Sequence, residues 1–224
     1  LIKNLHRKMR KYMDEKCIGS FINKLRDCDF SFTQPVENIY SRNVEGNENT
    51  FNNLRLYLNK MKDIKPKYLL IGEAPGYNGC RWSGIPFVSE RILRDNNFFG
   101  LENGYKVRND NKPQSEASAT IVWNCLNEIG IFPLIWNAFP FHPYQKDNTK
   151  SNRTPNKAEL VFGKEVLKAI LQLFNIEPTN VIAIGKKAKE SLETFTEFET
   201  IKCIRHPANG GKADFVKGLK TYLV

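Results

Sequence analysis

Four short apolar runs constrain this chain more than any other feature: Lys67-Tyr68-Leu69-Leu70-Ile71, Leu134-Ile135-Trp136, Val181-Ile182-Ala183-Ile184 and Ile201-Lys202-Cys203-Ile204. Each is bounded by turn residues and too short for a buried helix, so each reads as a strand. Between and after them lie stretches of helical periodicity at residues 115–129, 157–174, 186–192 and 212–222. Strands alternating with helices build a mostly parallel sheet covered on both faces. The expected fold is α/β, a three-layer α/β/α sandwich around a central, mostly parallel four-stranded sheet. Upstream, residues 5–25 read as a basic helix broken at Gly19. Residues 51–61 read as a second helix with Thr50 as its N-cap, and a further helix is expected around 88–94. Residues 1–224 are expected to form one domain, with 1–60 a helical extension packed on it.

Composition narrows the class. The chain has 224 residues, of which 41% are hydrophobic and 26% charged, which excludes a disordered, collagenous or coiled-coil protein. No apolar run approaches the roughly 20 residues of a membrane span, and the basic, patchily apolar start is unlike a secretory signal. The five cysteines are odd in number and form no Cys-x-x-Cys, which argues against a zinc ribbon or a redox motif. Reduced thiols in a cytoplasmic protein are the expectation. The net charge of +10 attracts polyanions, of which nucleic acid is the commonest.

The residues that follow the strands carry the chemistry. In open α/β sheets ligands bind beyond the C-terminal strand ends. Three segments distant in sequence fall there. The first is Gly72-Glu73-Ala74-Pro75-Gly76-Tyr77, continuing to Gly84-Ile85-Pro86-Phe87. Its glycines let backbone approach a ligand closely and its prolines stiffen the loop; Gly-Lys-Ser/Thr is missing, so it is not a P-loop. By itself it also fits a tight strand-to-helix turn. The second is Asn137, whose amide offers a donor and an acceptor and so matches a pyrimidine edge with O4 and N3–H; equally it could cap the next turn. The third is His206-Pro207-Ala208-Asn209-Gly210-Gly211, in which a histidine can donate to a developing oxyanion. His142 is the rival histidine.

Taken together, and with Asn152-Arg153-Thr154-Pro155 and Glu159 opening a helix, these segments resemble the uracil-DNA glycosylase superfamily. The match is nearest to the branch whose first motif reads Gly-Glu-Ala-Pro-Gly, and it spans about residues 67–215. The resemblance implies a DNA glycosylase that flips a base out of the stack and hydrolyses its N-glycosidic bond in base excision repair. It implies that Phe87 stacks on the base, Asn137 reads the uracil edge and His206 donates to O2. Gly72, Ala74, Gly76 and Tyr77 would line the rest of the pocket. Glu73, the only carboxylate in the first motif, is the candidate to stabilise the sugar cation and orient water. Arg81, Ser83, Arg205, Asn209, Gly210, Gly211 and Lys212 would contact DNA; the lysines at 186, 187 and 189 lie beside the same loops, and about half of the basic residues there are expected to touch DNA. No lyase lysine is implied, so the enzyme would be monofunctional and a monomer, nucleoid-associated in a prokaryotic-like cytoplasm.

Two departures shape the expectations. Ala74 stands where some branches carry a water-activating Asp or Asn, which leaves a catalytically inactive DNA-binding protein as the alternative. An unrelated nucleotide-using enzyme is a third reading. That branch also commonly holds an iron–sulfur cluster on four cysteines; Cys17 and Cys28 are too far apart for its first pair, so neither metal nor cofactor is expected. Finally, Gly76 replaces a tyrosine that blocks C5 in the most stringent branch. The C5 side is thus expected to be open unless Tyr77 or Asn78 folds over it, which would admit 5-substituted uracils or another deaminated base such as hypoxanthine.

Overall fold

The computed structural model describes residues 18–95, 98–195 and 198–224. In chain order the elements are α1 (Ile18–Arg26), β1 (Val36–Glu37), α2 (Asn47–Ile64), β2 (Leu69–Gly72), α3 (Cys80–Ser83), α4 (Glu90–Leu93), α5 (Ala117–Ile129), β3 (Leu134–Asn137), β4 (His142–Pro143), α6 (Lys157–Phe174), β5 (Val181–Ile184), α7 (Lys186–Glu193), β6 (Lys202–Ile204) and α8 (Lys212–Leu223). The four predicted strands form one parallel sheet in the order β3-β2-β5-β6, flanked by helices. All side chains of β2, β3 and β5 are buried, as a sheet covered on both faces requires. Each large apolar side chain so buried contributes roughly 1.5–3 kcal/mol. Tyr57 of α2 lies against the sheet, where its hydroxyl accepts from Ile135 N at 2.9 Å. α7 packs on β5 and β6, and α8 on β6.

Helix α6 matches its expected bounds because its start is unambiguous. Asn156 caps it by accepting from the amides of Ala158 and Glu159, and Glu159 returns a bond from Asn156 N. Other boundaries differ for identifiable reasons. α2 begins at Asn47, one turn earlier than expected, and Thr50 is no cap: its buried hydroxyl donates within the helix and to Ile39 O. α1 runs through Gly19 unbroken from Ile18, while the rest of the expected 5–25 helix lies outside the described residues. The helix expected at 88–94 is the four-residue α4. β1 and β4, two residues each, form an antiparallel pair (Val36 with Pro143, Glu37 with His142) that no periodicity announced. Among the described residues no helix is long and apolar enough to cross a membrane.

Candidate active site

Sheet register does the first part of the positioning. Gly72 pairs with Asn137 at the C-terminal ends of β2 and β3, and Ala138 N donates to Gly72 O at 2.8 Å. Gly72 has to lack a side chain: a Cβ there would sit 2.5 Å from Asn137 Oδ1 and 2.6 Å from the Phe87 ring. The Asn137 amide and the Phe87 ring therefore close on the same glycine from two directions. Across β5, the edge strand β6 delivers the third group. Gly185 N donates to Ile204 O at 2.8 Å, and a Cβ on Gly185 would approach His206 Cβ to 2.9 Å. The His206 ring then lies 5.8 Å from that of Phe87, tilted by 44°. Phe87, Asn137 and His206, spread over 120 positions of sequence, meet at one strand-end crevice.

Phe87 is held in a conformation that side chains usually avoid, with φ at +53°. Trp123 of α5 clamps it there, donating its indole N–H to Phe87 O at 3.0 Å. That indole is itself packed against Phe98 and Phe99 at 4.8 and 4.6 Å. The Phe87 backbone is thus fixed, with its ring half-buried at the C-terminal edge of the sheet.

His206 is set up as a neutral donor. Its Nδ1 accepts from Ala208 N at 3.2 Å, which assigns the remaining proton to Nε2. Burial, and then the charge of Arg205, push its pKa below the ordinary histidine value, so the ring is uncharged at neutral pH. The rival, His142, is fully buried behind the first loop, where its Nδ1 lies 2.8 Å from Pro75 O. It braces that loop rather than facing the crevice.

Glu73 is a carboxylate with supports on one side only. Burial raises its pKa, while the Thr154 hydroxyl and the Lys187 charge pull it back and Glu190 pushes it up again. Lys187 Nζ donates to Thr154 Oγ1 at 3.1 Å, leaving the threonine proton free for Glu73. Glu73 Oε1 is buried and accepts no hydrogen bond from the protein. Ala74 and Tyr77 are half-buried in the same loop, whose backbone is anchored by Tyr77 N donating to Asn152 Oδ1 at 2.8 Å. Arg153, beside that asparagine, forms a bidentate pair with the fully buried Glu159, both bonds 2.7 Å.

Several residues expected at a DNA surface are placed otherwise. Ser83 is fully buried, its hydroxyl bonded to Ile85 O and Val88 O, so it has no surface to offer. Arg81 is largely buried in an ion pair with Glu37 of β1 at 2.7 Å; polarity was the only signal for exposure, and the pair satisfies it internally. Gly211 is also buried, its amide donating to Ala208 O. Arg205, Asn209, Gly210 and Lys212 are exposed, and Asn209 and Gly210 form a left-handed tip with φ of +52° and +76°. Lys186 and Lys187 are exposed on α7, the former paired with Glu190.

One residue at this edge had no motif to reveal it. Glu116, just ahead of α5, lays its carboxyl against the first loop: Oε1 is 3.2 Å from where a Gly76 Cβ would stand, and Oε2 crowds the same position on Gly79. Burial pushes its pKa up to about 7. The free thiol of Cys80 is also buried, with its pKa raised by burial and by the nearby Glu116. Among the described residues no group of three or more His, Cys, Asp or Glu could hold a metal ion.

A parallel four-stranded sheet thus gathers a half-buried aromatic ring, an amide and a neutral histidine at its C-terminal edge. The family model for the uracil DNA glycosylase superfamily matches residues 59–219, and the chain belongs to that superfamily. Among solved structures, the fold is similar to the crystal structure of wild-type Pedobacter heparinus SMUG2, with a TM-score of 0.66 at 16% identity over 92% of this chain and 96% of that one. No curated protein matches the sequence.

Proposed function

We propose that the protein is a monomeric, monofunctional DNA glycosylase that removes uracil by hydrolysing its N-glycosidic bond. The observation that carries this reading is that Asn137 and Phe87 close on Gly72 while the His206 ring lies 5.8 Å from that of Phe87. Unstacking a base from DNA costs a few kcal/mol, which stacking on Phe87 and edge contacts to Asn137 offset. Asn137 donates to O4 and accepts from N3–H, a pattern cytosine does not present. As the C–N bond breaks, its electron pair stays with the base and charge gathers on O2. His206 Nε2–H points its donor there; a neutral imidazole suits the task because it is already in place and does not transfer a full proton. One such fixed donor is worth about 2.7–4 kcal/mol. The sugar left behind is cationic. Glu73, when ionised, stabilises it, and the open acceptor Oε1 can take a proton from the attacking water. Water adds to the sugar carbon and its proton passes to the carboxylate; the products are an abasic site and the uracil anion, which takes a proton from solvent on release while Glu73 returns its own to solvent. Arg205, Lys212, Lys186 and the Asn209-Gly210 tip would meet the DNA backbone.

The test is a labelled oligonucleotide carrying one uracil, incubated with the protein and then treated with hot alkali. Breaks at the uracil, absent before alkali, are the expected result. Ala74 favours a second reading, DNA binding without catalysis; salt-sensitive retention of the same oligonucleotide with no alkali-labile site would establish it. Neither breaks nor retention would sink both.

A further inference from the structure

We propose that the hairpin at residues 144–151 is a second DNA-backbone site, gripping phosphates on the side of the crevice opposite the Asn209-Gly210 tip. The inference rests on the glycosylase reading for DNA as the ligand and adds a contact surface to it. This segment carries the chain from β3 and β4 towards α6. Residues 145–150 are all exposed, so none of them serves the core. The segment is ordered by bonds of its own. Asn148 N donates to Gln145 O at 3.0 Å, and the two residues form an isolated antiparallel bridge. Ser151 Oγ donates to Asn148 O at 2.6 Å and accepts from Gln145 N at 2.9 Å. Asn148 Oδ1 accepts from Lys150 N at 3.1 Å. Asp147 turns the hairpin with φ at +63°, as Asn209 and Gly210 turn the other tip.

The root of the hairpin is tied to the base site. Asn152, next to its last residue, holds Tyr77 N, and Arg153 donates to Tyr144 O at 3.0 Å while pairing with the buried Glu159. His142, which braces Pro75, stacks on Tyr144 with ring centroids 5.9 Å apart and planes 20° from parallel. What the hairpin presents is charge. Lys146 and Lys150 are exposed, and among the described residues neither ammonium is paired with a carboxylate. Two more exposed lysines flank its base: Lys157 opens α6, and Lys187 reaches Thr154. Each ammonium rides a flexible stem, so a fixed backbone still lets it find a phosphate. Sheet order sets the span. The hairpin follows β3 and the Asn209-Gly210 tip follows β6, the two outer strands. Three strand spacings put these roughly 14 Å apart, and one DNA strand places a phosphate about every 3.4 Å along the axis. Basic loops so spaced reach phosphates on both flanks of one extruded nucleotide, whereas either alone holds one flank.

The experiment measures binding of the full chain to a duplex across a salt series, for the wild type and for Lys146→Gln combined with Lys150→Gln. The duplex carries one 2′-fluorinated deoxyuridine, whose electron-withdrawing fluorine disfavours the sugar cation and so keeps the base in place. Affinity at low salt is expected to fall about tenfold, and the slope of log K against log salt to fall by nearly 2, because each lysine displaces about one counterion. The single change Lys146→Gln is expected to lower the slope by about 1. Melting followed by circular dichroism is expected to be unchanged, as both side chains are exposed. Cutting the duplex to about two base pairs beyond the uracil on one flank is expected to abolish the effect of the double change, and the same cut on the other flank to leave it. A slope within about 0.3 of wild type, or a loss equally sensitive to both cuts, overturns the proposal. Uracil release from an unmodified duplex is scored separately by alkali. Release with an unchanged slope sinks the hairpin site and leaves the glycosylase reading standing; a reduced slope without release does the reverse.

Discussion

Residues 72–87 and residues 205–212 flank the same crevice but are held differently. The first loop is tied from three sides, by His142 to Pro75, by Asn152 to Tyr77 and by Glu37 to Arg81, and Trp123 fixes its far end at Phe87. The second is tied at its root, where Ala208 N meets His206, and ends in the exposed left-handed pair Asn209-Gly210. The contrast separates two tasks. Reading a base edge needs groups that do not move when the base arrives, since reorganisation then would subtract from binding. Meeting a phosphate backbone of any sequence needs charge and a compliant tip. His206 stands at the junction, its ring held by Ala208 N and next to the exposed tip, as the proposed roles require.

The comparison is sharpest where the bracing is deepest. Glu159→Ala would strand the Arg153 guanidinium and loosen the segment that holds Tyr77, with an expected loss of about 3–5 kcal/mol of stability in urea unfolding; a loss under about 1 kcal/mol would mean the first loop does not depend on that pair. His206→Ala leaves the sheet untouched, so unfolding should be unchanged while single-turnover excision of uracil slows by about 10²–10³. Equal effects on stability and rate would erase the distinction between brace and reader. Thr154→Val probes the Glu73 support. Glu73 acts ionised and its pKa is already raised, so excision should fall with decreasing pH, beginning above the ordinary carboxylate range near 4.3. Removing the threonine donor raises that pKa further, and the acid limb of the kcat/KM profile should move to higher pH. A limb that stays put, or moves to lower pH, would remove Glu73 from the reaction. The smallest effect is expected from Lys212→Gln: weaker DNA binding across all sequences and a salt slope reduced by about 1, with the excision rate of bound substrate preserved.

The architecture was legible because its signals were local. Short apolar runs ending in glycine, asparagine or Arg-His marked both the strands and the edge where the motif residues gather, and the helical periodicity of residues 157–174 gave α6 its bounds. What was hidden depended on partners distant in sequence. The two-residue strands β1 and β4 exist only because they pair with each other. Arg81 and Ser83 looked like surface polar residues, and nothing in their neighbourhood of sequence disclosed Glu37 or the carbonyls of Ile85 and Val88. Glu116 was placed inside the helix expected over 115–129; the structure starts that helix at Ala117 and lays the Glu116 carboxyl over the bare glycines at 76 and 79. The Thr154–Lys187 support of Glu73 was likewise invisible, since the two residues are 33 positions apart.

The left-handed backbone at Phe87 has a consequence for how this molecule can change. A glycine or asparagine at that position would relax the chain, by something of the order of 1–2 kcal/mol, while deleting the flat surface on which the proposed reading stacks the base. Mutations selected for sturdiness alone would drift toward that exchange, so position 87 is where durability and usefulness pull in opposite directions.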